Sequence, residues 1–281
     1  MLTFFTVPKA FEGHIGLIQH NAIASWKHLR PECEVFLMGD EDGVSKVAAE
    51  LDCHHCPDIR CNEFGTPMLA DIFKAAEENI KTEWLVYINA DILLLDDFLP
   101  AMQALFRWEQ RAVMIGRRTD IAMYEPLDFE RSDWQRSLRL DADWHGTLRE
   151  ATALDFFAFP KGTYLQIPDF AIGRFSFDNW LVLDPITRGI PVVDATHDCL
   201  VLHQNHGYAH FQSESEHQLR KQGELDRNKE VQRNFALLGG WDRIFGAEEA
   251  THRLVQGQIV KGNQRALWRK QKQVYRREKR K

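Results

Sequence analysis

The sequence predicts an α/β protein with a mostly parallel central sheet flanked by helices and a helical extension at its C-terminus. Strand-like apolar runs alternate with amphipathic helical segments through the first half, and the links between them are short. One run, Trp84 to Ile88 (WLVYI), is apolar at every position, as a strand buried on both faces of a parallel sheet should be. With 281 residues, 44% of them hydrophobic, the chain is long enough to bury a large core. Together these features describe a Rossmann-like arrangement.

The elements follow in order. Leu2 to Val7 (LTFFTV) is a short apolar run stopped by Pro8 and reads as a buried strand. Ile15, Ile18, Ala22, Trp26 and Leu29 recur at helical spacing, and Pro31 closes that helix. Glu34 to Met38 is a second strand, stopped by Gly39-Asp40, and Val44 to Leu51 is a short helix. Thr66-Pro67 opens the clearest helix. Thr66 can cap, Pro67 at the first helical position loses no hydrogen bond, and Met68, Leu69, Ile72, Phe73, Ala76 and Ile80 form one apolar face. The strand Trp84 to Ile88 follows, then a helix from Leu99 to Phe106 and a strand from Ala112 to Ile115.

Arg117 to Ala153 is polar, with Trp134 and Trp144 set among charged residues, and reads equally as a surface excursion or a lid. Strand character returns at Asp155 to Phe159, Ile190 to Ala195 and Cys199 to Leu202. Gln222 to Leu238 and Glu248 to the end read as outer helices.

Charge and cysteine usage narrow the function classes. The formal net charge is -6. From Arg265 to Lys281 nine basic residues face the single acid Glu278, a net +8, which leaves -14 on the rest. An acidic body is not the profile of a general nucleic-acid binder, so no nucleic-acid partner is expected. Leu267, Trp268, Val274 and Tyr275 lie among the basic residues of the tail. This segment reads either as a solvated end or as a basic amphipathic helix against an anionic membrane. No basic-then-apolar leader or apolar run of membrane-spanning length is visible, and the expected location is the cytoplasm, at or near the inner membrane face. Five cysteines, an odd number, fit reduced thiols. Cys53-His-His-Cys56 with Cys61 lacks a second ligand pair at zinc spacing, and a strand is the better reading.

Ligands of such sheets bind beyond the carboxyl ends of the strands. The residues there are Thr6-Val7-Pro8, Gly39-Asp40, Asn89-Ala90-Asp91 and Gly116-Arg117. Asn89 and Asp91, two oxygen-bearing side chains one residue apart, suit a divalent cation with a diphosphate, or else form a plain turn. His203, His206 and His210 follow the strand Cys199 to Leu202, where imidazoles suit Mn²⁺, or else form a polar loop that is histidine-rich by chance. Asp178, flanked by Phe177 and Trp180, is either a desolvated general base or a helix cap, and one residue can be both. Arg174 beside it could hold a phosphate or pair with an acid.

The pieces FLMGDEDGV, NEFGTPML, YINADILL, DFFAFPKG, GRFSFDNW and VLHQNHGYAH, in this order, resemble a family of GT-A glycosyltransferases found among bacterial polysaccharide and surface-glycan enzymes. The resemblance covers Leu2 to His210. It implies a GT-A domain over residues 1–210, with a nucleotide-binding half (1–116) and an acceptor and metal half (117–210), followed by C-terminal helices and tail (211–281). Asn89-Ala90-Asp91 stands where the family carries its DxD-type motif. Asn89 then contacts ribose, and Asp91 holds Mn²⁺ or Mg²⁺ together with His203, or as second choice His206. Asn in the first position departs from the strict pattern and contributes no charge.

By the same resemblance Thr6, Pro8 and Asp40 border the base and ribose, and Thr66 lies in the segment that closes over the nucleotide. Arg117 or Arg174 meets the diphosphate, and Asp178 is the base of inverting members. The implied donor is a nucleotide diphosphate sugar, most simply a UDP-sugar, and the implied acceptor is a glycan or a lipid-linked glycan. Two other readings remain. A sugar-phosphate nucleotidyltransferase needs a Gly-rich basic loop after the first strand, which Pro8 to Gly13 matches poorly. A non-catalytic nucleotide- or sugar-binding relative draws support from Asn89.

Overall fold

The computed structural model describes residues 2–29, 33–108, 111–206 and 228–278. Four strands lie parallel in the order β3 (His54–Cys56), β2 (Glu34–Met38), β1 (Leu2–Thr6) and β4 (Trp84–Ile88). Next comes β8 (Leu154–Pro160), antiparallel to β4 on one side and to β6 (Val113–Ile121) on the other, so β6 again runs with β4. The strand β9 (Val192–Asp194) is parallel to β6, and β11 (His252–Val255) is parallel to β9. The hairpin partner β12 (Gln258–Lys261) forms the far edge. The result is the mixed, mostly parallel sheet that the sequence predicts.

Period-two alternation divides the strand side chains between two faces. Phe4, Val86 and Met114 pack with Ala22, Ile23 and Trp26 of α1 (Gly13–Lys27) and with Phe98 and Met102 of α4 (Phe98–Arg107). Phe5, Leu85 and Tyr87 face the other way, onto Ile72 and Phe73 of α3 (Leu69–Asn79) and Leu181 of α6 (Phe177–Thr187). Each such buried side chain contributes about 1.5–3 kcal/mol, so this alternation fixes the register of the strands. Trp26, fully buried, donates its indole N–H to the Ile92 carbonyl at 2.8 Å, which ties α1 to the chain just past the central strand.

Several elements differ from the sequence expectation. The helix after Pro67 begins at Leu69, and Thr66 does not cap it. Pro67 and Met68 are held extended by bridges to Cys61 and Ala171, and that pairing outcompetes helix initiation. The strand expected to stop at Ile115 continues to Ile121. Gly116 sits at a register shift against β8, where a Cβ would stand 2.9 Å from the Phe156 ring, so the strand bends there instead of ending.

Beyond the bend, β6 leaves β8 and pairs in parallel with β10 (Val201–Gln204), which also pairs with β5 (Ile92–Leu94). The polar stretch after Ile121 contains α5 (Trp134–His145), whose Leu138 and Ala142 pack on Leu93, Ile121 and Leu202, and β7 (Thr147–Leu148) beside β6. The segment from Glu248 onward is not all helix. A hairpin, β11 and β12, extends the sheet before the last helix, α8 (Gln264–Glu278). Its alternation of single apolar residues with polar ones, RLVQGQIVK, is the strand signal that a helical reading overlooks. Residues 228–238 form a helix, here α7, as expected for the second part of that segment. Pro31, His210, residues 222–227 and the last three residues of the basic tail lie outside the described residues. Among the described residues no helix is long and apolar enough to cross a membrane.

Candidate active site

At the carboxyl ends of β1 and β4 the chain turns outward and leaves a cleft of about 640 Å³. Because β8 runs the other way, it brings its first residues, including Asp155, to the same edge. Val7, Pro8 and Lys9 supply part of its wall, Asn89, Ala90 and Asp91 the floor at the end of β4, and Thr66, Pro67, Gly173 and Arg174 another part of the lining. The wall is stiff. Gln19 of α1 clamps the Lys9 backbone, accepting from its N–H at 2.7 Å and donating to its carbonyl at 2.9 Å.

Asp91, His203 and His206 converge on the floor. Asp91 Oδ2 lies 3.2 Å from His206 Nε2 and 3.6 Å from His203 Nε2, and one ligand atom from each of the three residues falls within 4.8 Å of the others. Among the described residues no other group of three His, Cys, Asp or Glu side chains comes this close. The cysteines near His54 form no such group, in keeping with the strand β3. Burial alone would raise the Asp91 carboxyl. The His206 hydrogen bond and the charges of His203, His206 and Lys9 outweigh it and hold the carboxyl below its ordinary value.

The set fits a divalent cation. Asp91 Oδ1 is buried with no hydrogen-bond partner among the described residues, and one carboxylate with two imidazoles is a competent donor set for Mn²⁺. Around it Asp91, Asp120 and Asp155 are met by Arg118, the partly exposed Arg149 and Lys9, so three acids face three cations before any histidine is counted.

The remaining expected residues divide. Pro8, Thr66, Asn89, Ala90 and Arg174 line the cleft. Thr6 does not: it is fully buried inside β1, and the following residues reach the cleft in its place. Asp40 is exposed and off the cleft, where Glu41 stands instead. Arg117 is a further correction. At the Gly116 bend its guanidinium turns away and donates to the Arg149 carbonyl, while Arg118 enters the cleft.

Asn89 donates its amide to Asp155 Oδ1 at 2.6 Å, so this part of the motif is also a structural strut. Arg174 is aimed by Glu230 of α7, 2.7 Å from its Nε, and by Thr66 Oγ1 at 3.1 Å. Burial would raise the Glu230 carboxyl, but hydrogen bonds from Thr66, Asn62 and Arg174 prevail and lower it.

Asp178 is the second residue of α6 and accepts from the Asn179 N–H at 2.9 Å; it does not cap the helix, because the N-cap position falls on Ser176, which makes no side-chain cap bond. Burial pushes its carboxyl up to about 7, against the Asn179 N–H and with the help of nearby Asp155. It is not among the residues lining the cleft, but Tyr87, which does line it, feels its charge. The preceding Ser176 holds φ of 95°, a left-handed conformation unusual for a residue with a side chain, at the turn that delivers Asp178.

Four contributors were not singled out from the sequence: Arg118, Asp120, Asp155 and Glu230. Asp155 was readable in principle, since an acid at the start of an otherwise apolar strand, DFFAF, needs a partner.

No family model matches the sequence, and no curated protein sequence matches it. Solved structures with a similar backbone include glucosyl-3-phosphoglycerate synthase from Mycobacterium tuberculosis in complex with Mn²⁺, UDP and glucosyl-3-phosphoglycerate. That match has 12% identity, covers 93% of this chain and 86% of the other, and has a TM-score of 0.48. The same enzyme in complex with Mn²⁺, UDP-glucose and phosphoglyceric acid matches at 13% identity over 74% of this chain and 72% of the other, with a TM-score of 0.44. A structure from Desulfovibrio desulfuricans G20 described as a nucleotide-diphospho-sugar transferase matches at 12% identity over 69% and 79%, also at 0.44.

Proposed function

We propose that the protein is a divalent-metal-dependent glycosyltransferase of the GT-A type that moves a sugar from a nucleotide diphosphate sugar, a UDP-sugar in the simplest case, to a hydroxyl of a glycan or lipid-linked acceptor. The observation that carries the proposal is the convergence of Asp91, His203 and His206 on the floor of a cleft at the strand carboxyl ends, walled by Lys9 and Arg174. Mn²⁺ held by these three side chains would neutralise charge that develops on the leaving diphosphate. The chain's own residues do the rest. Lys9 and Arg174, both lining the cleft, offer cations to the phosphates, and the Glu230 contact keeps Arg174 aimed. Asn89, its amide committed to Asp155, presents its carbonyl oxygen to a ribose hydroxyl. The base role falls to Asp178, whose carboxyl is raised to about 7; since it does not itself line the cleft, this role requires the acceptor hydroxyl to reach past the lining residues, and inversion at the anomeric carbon would follow from a direct attack of that kind.

Incubation with a panel of UDP-hexoses and Mn²⁺ tests the reading. Release of UDP, accelerated by an acceptor extract and abolished in Asp91→Ala, supports transfer. Release of pyrophosphate from a nucleoside triphosphate and a sugar phosphate would instead identify a nucleotidyltransferase. Binding of UDP without any release would identify the non-catalytic relative that the commitment of Asn89 to Asp155 favours.

A further inference from the structure

A line of polar side chains runs behind the metal-binding floor, and strand register builds it. In the parallel pairing of β6 with β10, Asp120 is the direct partner of His203. Asp120 Oδ1 stands 3.1 Å from His203 Nδ1, the ring nitrogen that faces away from Asp91. Both atoms are buried, and although they stand 3.1 Å apart neither makes a well-angled hydrogen bond to any described residue, the other of the pair included. Arg118, two residues earlier on the same strand and so on the same face, lies 3.1 Å from Asp120 and 3.0 Å from Asp155. Asp155 in turn accepts from Asn89.

We propose that Asp120 is a positioning residue for His203. Its carboxylate accepts a hydrogen bond from the Nδ1–H, which leaves the Nε2 lone pair directed at the cation, and Arg118 holds Asp120 in place. An imidazole has two nitrogens, and only the one without a proton can ligate. A carboxylate on the far nitrogen fixes both the tautomer and the ring orientation and makes the ligand more basic. The geometry favours this choice before any ion arrives, because Nδ1 is nearer to Asp120 (3.1 Å) than Nε2 is to Asp91 (3.6 Å). Arg118 adds a second effect. By pairing with both Asp120 and Asp155 it links the His203 side of the floor to the Asn89 side, so the cation and ribose contacts share one rigid support.

The inference rests on the cation reading above, and its test separates the two. Mn²⁺ binding to the full chain is measured by electron paramagnetic resonance of the free ion, without any nucleotide. The tautomer of His203 is read by long-range ¹H–¹⁵N correlation NMR at pH 8 on Zn²⁺-loaded protein. The parent protein is expected to bind Mn²⁺ and to show His203 protonated on Nδ1. Asp120→Ala is expected to weaken Mn²⁺ binding by about 10–100-fold. Asp120→Asn, which keeps an acceptor oxygen and the side-chain volume, should recover most of that loss.

A parent protein that binds no Mn²⁺ sinks the cation reading itself. A parent that binds, with Asp120→Ala binding equally well, or with His203 protonated on Nε2, overturns the role given to Asp120. The conservative variant guards against misfolding: a folded Asp120→Asn with parental affinity beside a weak Asp120→Ala supports positioning. Equal loss in both variants with lowered melting temperatures would show that Asp120 acts only in stability, and this too overturns the proposal.

Discussion

Replacing Asp178 with Asn separates the cost of burying its charge from every other pH effect in the molecule. The variant keeps the oxygen that accepts the Asn179 N–H and removes only the titration. The Asp178 carboxyl is raised from 3.8 to about 7, chiefly by burial. The sign follows from proton binding: between these values the unfolded chain is ionised at this position and the folded one is not, so folding takes up a proton. The stability this group contributes is therefore fully present below about pH 4 and is lost as pH rises through about 7.

The gap corresponds to a ceiling of about 4 kcal/mol. The side chain is only half-buried, and solvent access reduces the expectation to about 2 kcal/mol, or about 4 °C in melting temperature. Melting temperatures of both proteins are measured from pH 4 to 8.5. The advantage of Asp178→Asn should grow between pH 4 and 7 and then level off. Raised carboxyls that do not interact with Asp178, such as Asp97, are common to both proteins and cancel in the difference. If Asp178 is also the base, the parent rate rises with pH through about 7, and the variant loses about 10²–10⁴-fold. A melting difference that stays constant across the range would refute the burial argument for this residue.

Arg117→Ala should leave Mn²⁺-UDP affinity within about twofold, since it loses only bonds to the Arg149 carbonyl, whereas Arg118→Ala leaves Asp155 without its cation and Asp120 with the longer Arg149 contact alone. A cost of about 3–5 kcal/mol in stability and a binding loss of at least about tenfold follow, both measurable by calorimetry. Two imidazoles beside one carboxylate favour Mn²⁺ over Mg²⁺, a hard ion that prefers oxygen, so metal titrations should show at least about tenfold tighter Mn²⁺ binding. In α8, Leu267 is buried against the body while Trp268 and Tyr275 are exposed. Removal of residues 265–281 should therefore abolish co-sedimentation with anionic vesicles if the tail contacts membranes, and absence of binding by the intact chain would end that reading.

The strands and helices of the first half were legible because their apolar spacing is a direct record of burial: WLVYI is β4, and the Leu69, Ile72, Phe73, Ala76 stripe is the buried face of α3. The placement of Asp91 was legible for the same reason, since it follows that strand. His203 was found by residue type, though it lies inside β10 and not after it. What escaped depends on pairing between distant segments. Nothing local shows that Gly116 is a bend, and a one-residue difference there decides whether Arg117 or Arg118 enters the cleft. Asp120 gains its neighbour only from the register of β6 on β10, and Glu230 only from the docking of α7 on the rim. Thr66-Pro67 carried a strong helix-start signal, but bridges across the loop overrode it.

The central claim is that Asp91, His203 and His206 bind a divalent cation that recruits a nucleoside diphosphate. Isothermal titration of UDP into the protein with and without Mn²⁺, repeated on Asp91→Ala, tests it most directly. The account predicts UDP binding that Mn²⁺ strengthens at least about tenfold in the parent and does not change in Asp91→Ala. Equal enhancement by Mn²⁺ in both proteins, or none in the parent, would contradict it.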